Sequence, residues 1–329
     1  MRKKENAVPK LKGADFSYRY FHQLFIVAFL LVAMVVMCII SESFRSVYNL
    51  GNLMNNSFAL ILAGLGQFVV ILTAGIDISV GGMLTLGNCM AVFVMTKMPT
   101  TGGMILAIVA TVVTGIVCGA INGFCVARLR LPAIIVTIAT NSLFQGIALV
   151  LVTEPGGTVV KALSGFFKFR LFKAIPTSFF LAVIIVVVMM LVTNRTRFGK
   201  ALRAVGGNES AAYGTGVNVE RTKFMAYVIC GLLSALAGLY LAARTNCGDP
   251  NIGNNYTVYS ISATVVGGTM MTGAVGQSYG TAVGAIIIFL INNVLNMLNV
   301  GTSYQSACQG AVLIISLMIA SLEVRHRSK

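Results

Sequence analysis

Ten stretches of the chain are each apolar over about the length a helix needs to cross a bilayer, roughly 20 residues. They fall at about 21–40, 54–74, 79–97, 104–127, 132–153, 175–193, 223–243, 257–275, 277–299 and 303–322. In hydrocarbon every backbone N–H and C=O must be paired inside the protein, so runs of this kind become helices. The expectation is an all-α polytopic membrane protein of about ten transmembrane helices. Composition agrees: 57% of residues are hydrophobic and only 10% charged, and the mean hydropathy of +0.87 exceeds what a soluble core requires. One transmembrane domain, 21–323, lies between basic tails at 1–20 and 324–329, with no soluble domain.

A net charge of +15 suggests nucleic acid until the charges are placed. With the N-terminus in the cytoplasm, ten spans return the C-terminus to the same side. The cytoplasmic segments then hold 17 of the 24 basic residues, in the two tails, at Arg128 and Arg130, in the loop at about 194–222, and at Lys223 beside it. That is the positive-inside bias of a bacterial inner-membrane protein. The first apolar run follows a basic tail but has no small-residue cleavage site, so it is read as a retained span. The seven cysteines form no CxxC or His/Cys cluster, so neither a disulfide nor a metal site is expected.

Between spans 2 and 3 the apolar sequence is interrupted by Gly75-Ile76-Asp77-Ile78-Ser79-Val80-Gly81-Gly82. An unpaired carboxylate costs several kcal/mol in hydrocarbon, so Asp77 either does chemistry or marks a broken helix. The topology puts it at the cytoplasmic end of span 2, where water or helix N-terminal amides can satisfy it. Gly75, Asp77, Ser79 and Gly81 are therefore read as a structural corner that can serve as part of a gate. No second titratable group lies near a span to pass a proton on: eight of the nine acids and both histidines fall in tails, loops or span ends. No GxxxxGK[ST] loop is present either, so the chain cannot hydrolyse ATP itself. Energy must come from a partner.

Neutral polar residues do recur within spans. Thr137, Asn141 and Gln145 share a face of span 5 at i, i+4 and i+8; Asn292 and Asn296, with Asn299, repeat the idea in span 9; span 10 offers Gln305 and Gln309. Amides and hydroxyls both donate and accept hydrogen bonds without the cost of burying charge, which suits a polyhydroxylated neutral solute. The competing reading is interhelical glue. Two small-residue ridges, Gly115/Gly119/Gly123 and Gly276/Gly280/Gly284, are read as close helix contacts. Spans 2–5 and 7–10 would have opposite orientations, the geometry of an inverted repeat; the similar Val80-Gly81 and Val275-Gly276 pairs fall short of demonstrating one.

The loop after span 6 is the largest cytoplasmic feature. Asn208 is a good N-cap, Glu209 suits the positive end of a helix dipole, and Gly214 or Gly216 can end the helix. A short helix outside the membrane is predicted, with Ala211, Ala212 and Tyr213 available to a partner's groove. The outer connection at about 154–174 is long enough for a short surface helix.

GIDISVGG at 75–82, AING at 120–123 with RLRLP at 128–132, RFGKALRAVGGNESAA at 197–212, VVGGTMMTGAVG at 265–276 and INNVLNMLNVGTSYQ at 291–305 together carry a resemblance. The chain resembles the permease subunit of the ribose/galactose/arabinose/xylose branch of bacterial ABC importers. The resemblance implies a permease dimer, homomeric or paired with a paralogue. It also implies cytoplasmic ATPase subunits that hold ATP–Mg, and an extracytoplasmic sugar-binding protein that delivers the solute; no cofactor would sit on this chain. By the same analogy Asn208–Gly216 looks like the coupling helix, with Gly199, Asn208, Glu209, Ala211, Ala212 and Gly216 as its contact set. Many relatives carry an acidic Glu-Leu-Asp triplet before VVGG where this chain has Thr257-Val258-Tyr259. Pentoses, hexoses, modified sugars and autoinducer-2 therefore stay open as cargo, as do nucleosides and branched-chain amino acids; a secondary carrier for a neutral solute is the alternative of a different class.

Overall fold

The computed structural model describes residues 42–172 and 174–301, with isolated positions within 28–39 and 304–318. The expected spans at 21–40 and 303–322, both tails and Gln309 lie largely or wholly outside the described residues. After a helical turn at Glu42–Arg45, the chain forms α1 (Val47–Leu72), α2 (Val80–Lys97), α3 (Thr101–Gly123) with a π turn at Phe124–Arg128, and α4 (Ala133–Leu151). The outer connection folds into a short helix, α5 (Lys161–Lys168), and a hairpin of β1 (Arg170–Leu171) with β2 (Ile175–Pro176), Arg170 facing Pro176. Next come α6 (Thr177–Arg195), α7 (Arg197–Gly207), α8 (Glu209–Gly214), α9 (Val219–Thr245), α10 (Tyr256–Val266) and α11 (Ser278–Met297).

Seven of these helices are long and apolar enough to cross a membrane: α1, α2, α3, α4, α6, α9 and α11. Their burial sorts them into layers. The membrane-length window of α1 is 94% buried, whereas that of α6 is 17% buried, so α1 is central and α6 turns an apolar face outward. The close contacts come from glycine. A Cβ on Gly119 would lie 2.4 Å from the carbonyl oxygen of Tyr227, and one on Gly115 2.7 Å from that of Gly231, so the α3 ridge rests directly on the α9 backbone. The ridge at the start of α11 does the same against α10, with Gly284 over Ala263 and Gly280 over Gly267. Without a hydrophobic drive between helices, such approach is what holds a bundle together.

The eighth expected span, 257–275, needs correction. Its helix stops at Val266, because Gly267 caps it and Gly268 takes φ +83°; irregular backbone covers the remaining crossing as far as Gln277. A matching break separates α1 from α2 at residues 73–79. Thus α1 (26 residues) and α9 (27 residues) are each followed by irregular backbone and then a helix that begins inside the bundle. The two late starts meet. Gly81 N–H donates to Thr257 Oγ1 (3.0 Å), Thr257 Oγ1 donates to Ile78 O (3.0 Å), and Gly253 N–H donates to Thr85 Oγ1 (3.1 Å). A Cβ on Gly81 would sit 2.5 Å from Gly253 O, so the two strands of backbone cross in contact.

Candidate translocation and coupling sites

The two polar stripes have different surroundings. On α4, Thr137 is buried and its Oγ1 donates to Ala133 O one turn back (2.8 Å). Asn141 Oδ1 accepts from Gly82 N–H (2.9 Å), capping the otherwise unpaired start of α2. Gln145 Nε2 donates to Pro250 O and to Asn254 Oδ1, both at 2.9 Å. The stripe therefore staples α4 to the two broken segments, which is the glue reading.

On α11 the outcome is a cavity of about 540 Å³ near the outer end of the bundle. Asn292, Asn296 and Gln305 line it, as the spacing anticipated, and the fold adds Asn49 and Asn56 from α1, Asn255 at the start of α10, and Asn293. Tyr256, Tyr259, Phe289, Ile252 and Met297 complete the wall, and none of these residues is charged. Asn293 Nδ2 donates to Asn49 Oδ1 (3.2 Å). The other halves of that pair, Asn49 Nδ2 and Asn293 Oδ1, are buried behind the wall and have no partner among the described residues. Gln305 Nε2 donates to Asn296 Oδ1 and Val300 O (2.8 Å each), folding the segment after α11 back over the chamber. Asn49 was missed because the second span was expected to begin at 54, and Asn56, just inside that span, had no polar residue within the next two turns on its face to mark a stripe. The Asn49/Asn56 pair at i and i+7, on one helix face, was the signal available.

At the basic end, which the charge bias makes cytoplasmic, α8 has both its caps. Asn208 Oδ1 accepts from Ala211 N–H (2.9 Å). Gly216 takes φ +83°, its N–H donates to Tyr213 O (2.9 Å), and Val217 N–H donates to Ala212 O (3.1 Å), the paired bonds of a Schellman ending. Gly216, not Gly214, is thus the terminator. Glu209 also forms an ion pair with Lys223 of α9. Ala211 is exposed and Tyr213 is 76% exposed, but Ala212 is turned inward and is not available to a partner's groove. Gly199 is also internal: a Cβ there would come within 2.2 Å of Thr193 O, so it serves the tight corner between α6 and α7.

Asp77 departs furthest from expectation. It is fully buried and does not meet water. After Leu72 the chain turns back into the bundle, and Tyr227, whose hydroxyl donates to Ile76 O (3.2 Å), lies about 12 Å along α9 from its start at 1.5 Å per residue. The carboxylate Oδ1 accepts from Ser79 N–H (2.8 Å) and Ser79 Oγ (2.6 Å), while Asn122 Nδ2 donates to that Oγ (2.7 Å). One amide and one hydroxyl, both of Ser79, reach Oδ1 mid-bundle, where Gly75 packs under Tyr227 and Gly81 under Gly253, while Oδ2 is buried with no hydrogen-bond partner among the described residues.

Comparison with known proteins gives this arrangement its context. Residues 49–317 match the family described as branched-chain amino acid transport system, permease component. The chain is 32% identical over 294 residues to the ribose import permease protein RbsC of Escherichia coli K12, covering 88% of this chain and 91% of the relative. It is 34% identical over 296 residues to RbsC of Bacillus subtilis 168 (88% and 90%) and 32% identical over 289 residues to the D-allose transport system permease protein AlsC of E. coli K12 (85% and 86%). No solved structure matches.

Proposed function

The chain belongs to the family of membrane permease components described for branched-chain amino acid transport, and within it we propose that this member passes a monosaccharide through the amide-lined cavity, driven by a separate ATPase that docks on α8. The observation that carries the reading is the cavity's chemistry: seven amide side chains and two tyrosines, with no charged group. A zwitterionic amino acid would bring a carboxylate and an ammonium into a wall that offers neither a cation nor an anion, at a large desolvation cost. A neutral polyol meets donors and acceptors only. The ribose and allose permeases among its relatives support the same class of cargo. Thr257 bridges the two backbone breaks and Tyr259 forms part of the cavity wall, so these positions bring no charge to the chamber.

As a permease component the chain needs an ATP-binding partner and a solute-binding partner outside. In the proposal ATP–Mg sits on the ATPase, the binding protein delivers the sugar to the outer mouth, and a second permease copy or paralogue completes the pair. The capped α8, with Tyr213 projecting from it, supports docking at that point.

The test is uptake of labelled ribose, allose and leucine by proteoliposomes holding the complete transporter. Sugar uptake without leucine uptake is expected, and Asn293→Leu should lower it about tenfold, the worth of one or two hydrogen bonds. Uptake of leucine in preference to sugar would overturn the cargo. For docking, Asn208→Ala with Glu209→Gln should release the ATPase on purification while leaving the chain inserted; an intact complex with normal uptake would remove α8 as the contact.

A further inference from the structure

The three helices whose outer ends wall the cavity all meet, at their inner ends, under one cytoplasmic helix. From α7, Arg203 Nη1 donates to Ala274 O (3.0 Å), and Nη2 donates to Gly276 O (3.0 Å) and to Asn194 Oδ1 (2.8 Å). Asn194 Nδ2 in turn donates to Gln277 Oε1 (3.0 Å). The backbone that Arg203 grips joins α10 to α11. Three residues along the same helix, Gly206 lies against the end of α1: a Cβ there would be 1.9 Å from Leu72 O and 2.7 Å from Ala274 N. Ala274 N–H donates to Leu72 O (3.0 Å), closing the knot.

That knot holds two alanines in the left-handed region, Ala74 at φ +58° and Ala274 at φ +61°. Neither is glycine, so each position carries a steric cost that only the surrounding contacts can maintain. Gly273 separates them, and a Cβ on it would lie 2.9 Å from Ala74 N and 2.8 Å from Gly206 O. At Gly206 the backbone of α7 lies directly on these turns, and an Arg guanidinium bonded to three acceptors fixes direction as well as distance.

We infer that Arg203 is a positioning residue that locks α7 to the 267–277 segment as one rigid strut, through which displacement of α8 by the ATPase tilts α1, α10 and α11 and so reshapes the cavity. This rests on the coupling reading of α8. The strut moves as a unit: α7 does not slide over Ala274. A helix of 20 residues such as α11 is about 30 Å long, so a small tilt at its inner end is carried in full to Asn292 and Asn296.

The test uses the complete transporter in proteoliposomes. Arg203→Gln should leave the ATPase bound and hydrolysing, yet lower sugar moved per ATP at least about fivefold, the lower range of an energetic coupling; Arg203→Lys, a point charge without the planar fork, should restore only part. Unchanged sugar per ATP in Arg203→Gln would overturn the assignment. The second arm pairs Gly207→Cys with Ala274→Cys, whose β-carbons would be 3.7 Å apart, close to the disulfide mean of about 3.8 Å. With each single variant as control for the native thiols, the oxidised pair should transport within about twofold of its reduced form. Arrest on oxidation, reversed by reductant, would show that α7 must slide and would sink the rigid strut. The coupling reading fails separately, if the Asn208 and Glu209 variants, which leave Arg203's bonds intact, still hold the ATPase.

Discussion

The stripes on α4 and α11 look alike in sequence, neutral polar residues at helical spacing inside an apolar run, yet one is a staple and the other a chamber wall. The difference lies in what each face meets. Asn141 and Gln145 point at backbone left unpaired by broken helices, at Gly82 N–H and Pro250 O, and these claim the amides. Asn292 and Asn296 line a space of about 540 Å³ among other amides, one of which, Gln305, donates to Asn296. Side-chain polarity therefore reports demand for hydrogen bonds, and only the fold says whether that demand is internal or left for a solute.

Exchanging amide for hydrocarbon on each stripe should separate the two roles, and the α4 staple should give the largest effect. Asn141→Leu leaves Gly82 N–H buried and unpaired, which should cost about 1–3 kcal/mol of stability; thermal melts of the purified chain would show it, with uptake falling in step with the folded fraction. A mutant as stable as the parent would make Asn141 a pathway residue after all. On the chamber side, Asn296→Leu should lower uptake about tenfold while the melting curve and ATPase assembly stay unchanged. Equal losses of stability and uptake would make that stripe a staple too. The smallest effect belongs to Thr137→Val. The hydroxyl bonds only its own helix, so stability and uptake should shift by no more than about 0.5 kcal/mol, measured in the same two assays.

Legibility followed the range of the interaction. The caps of α8 were readable because they close within a few residues: Asn208 to Ala211, Gly216 to Tyr213. The membrane-length runs were readable for the same reason, since hydropathy is local. Three features were not. The helix at 257–275 was expected to run through Gly267-Gly268, because an apolar run with two glycines also fits a continuous span, and the break is held by distant contacts, among them Gly280 and Gly284. Asp77 was placed at the cytoplasmic end of span 2, in reach of water or helix amides, because nothing near it in sequence reveals that the chain re-enters the bundle, where Ser79, held by Asn122, receives it. Asn49, Asn56 and Asn255 joined the cavity only once α1 and α10 were brought beside α11. Each failure concerns where two distant segments meet, which periodicity along one segment does not encode.

The backbone contact at Gly81 and Gly253 bears on the cell as much as on the protein. A permease sits in a membrane whose ion gradients are a store of energy, and an open water column through it would discharge them. Beside the amide-lined cavity, the crossing of two backbone segments, tied by the Thr257 and Thr85 hydroxyls, leaves no width for such a column at that point. The crossing is thus an electrical insulator made of peptide bonds, and even one added methyl group there would put the seal at risk.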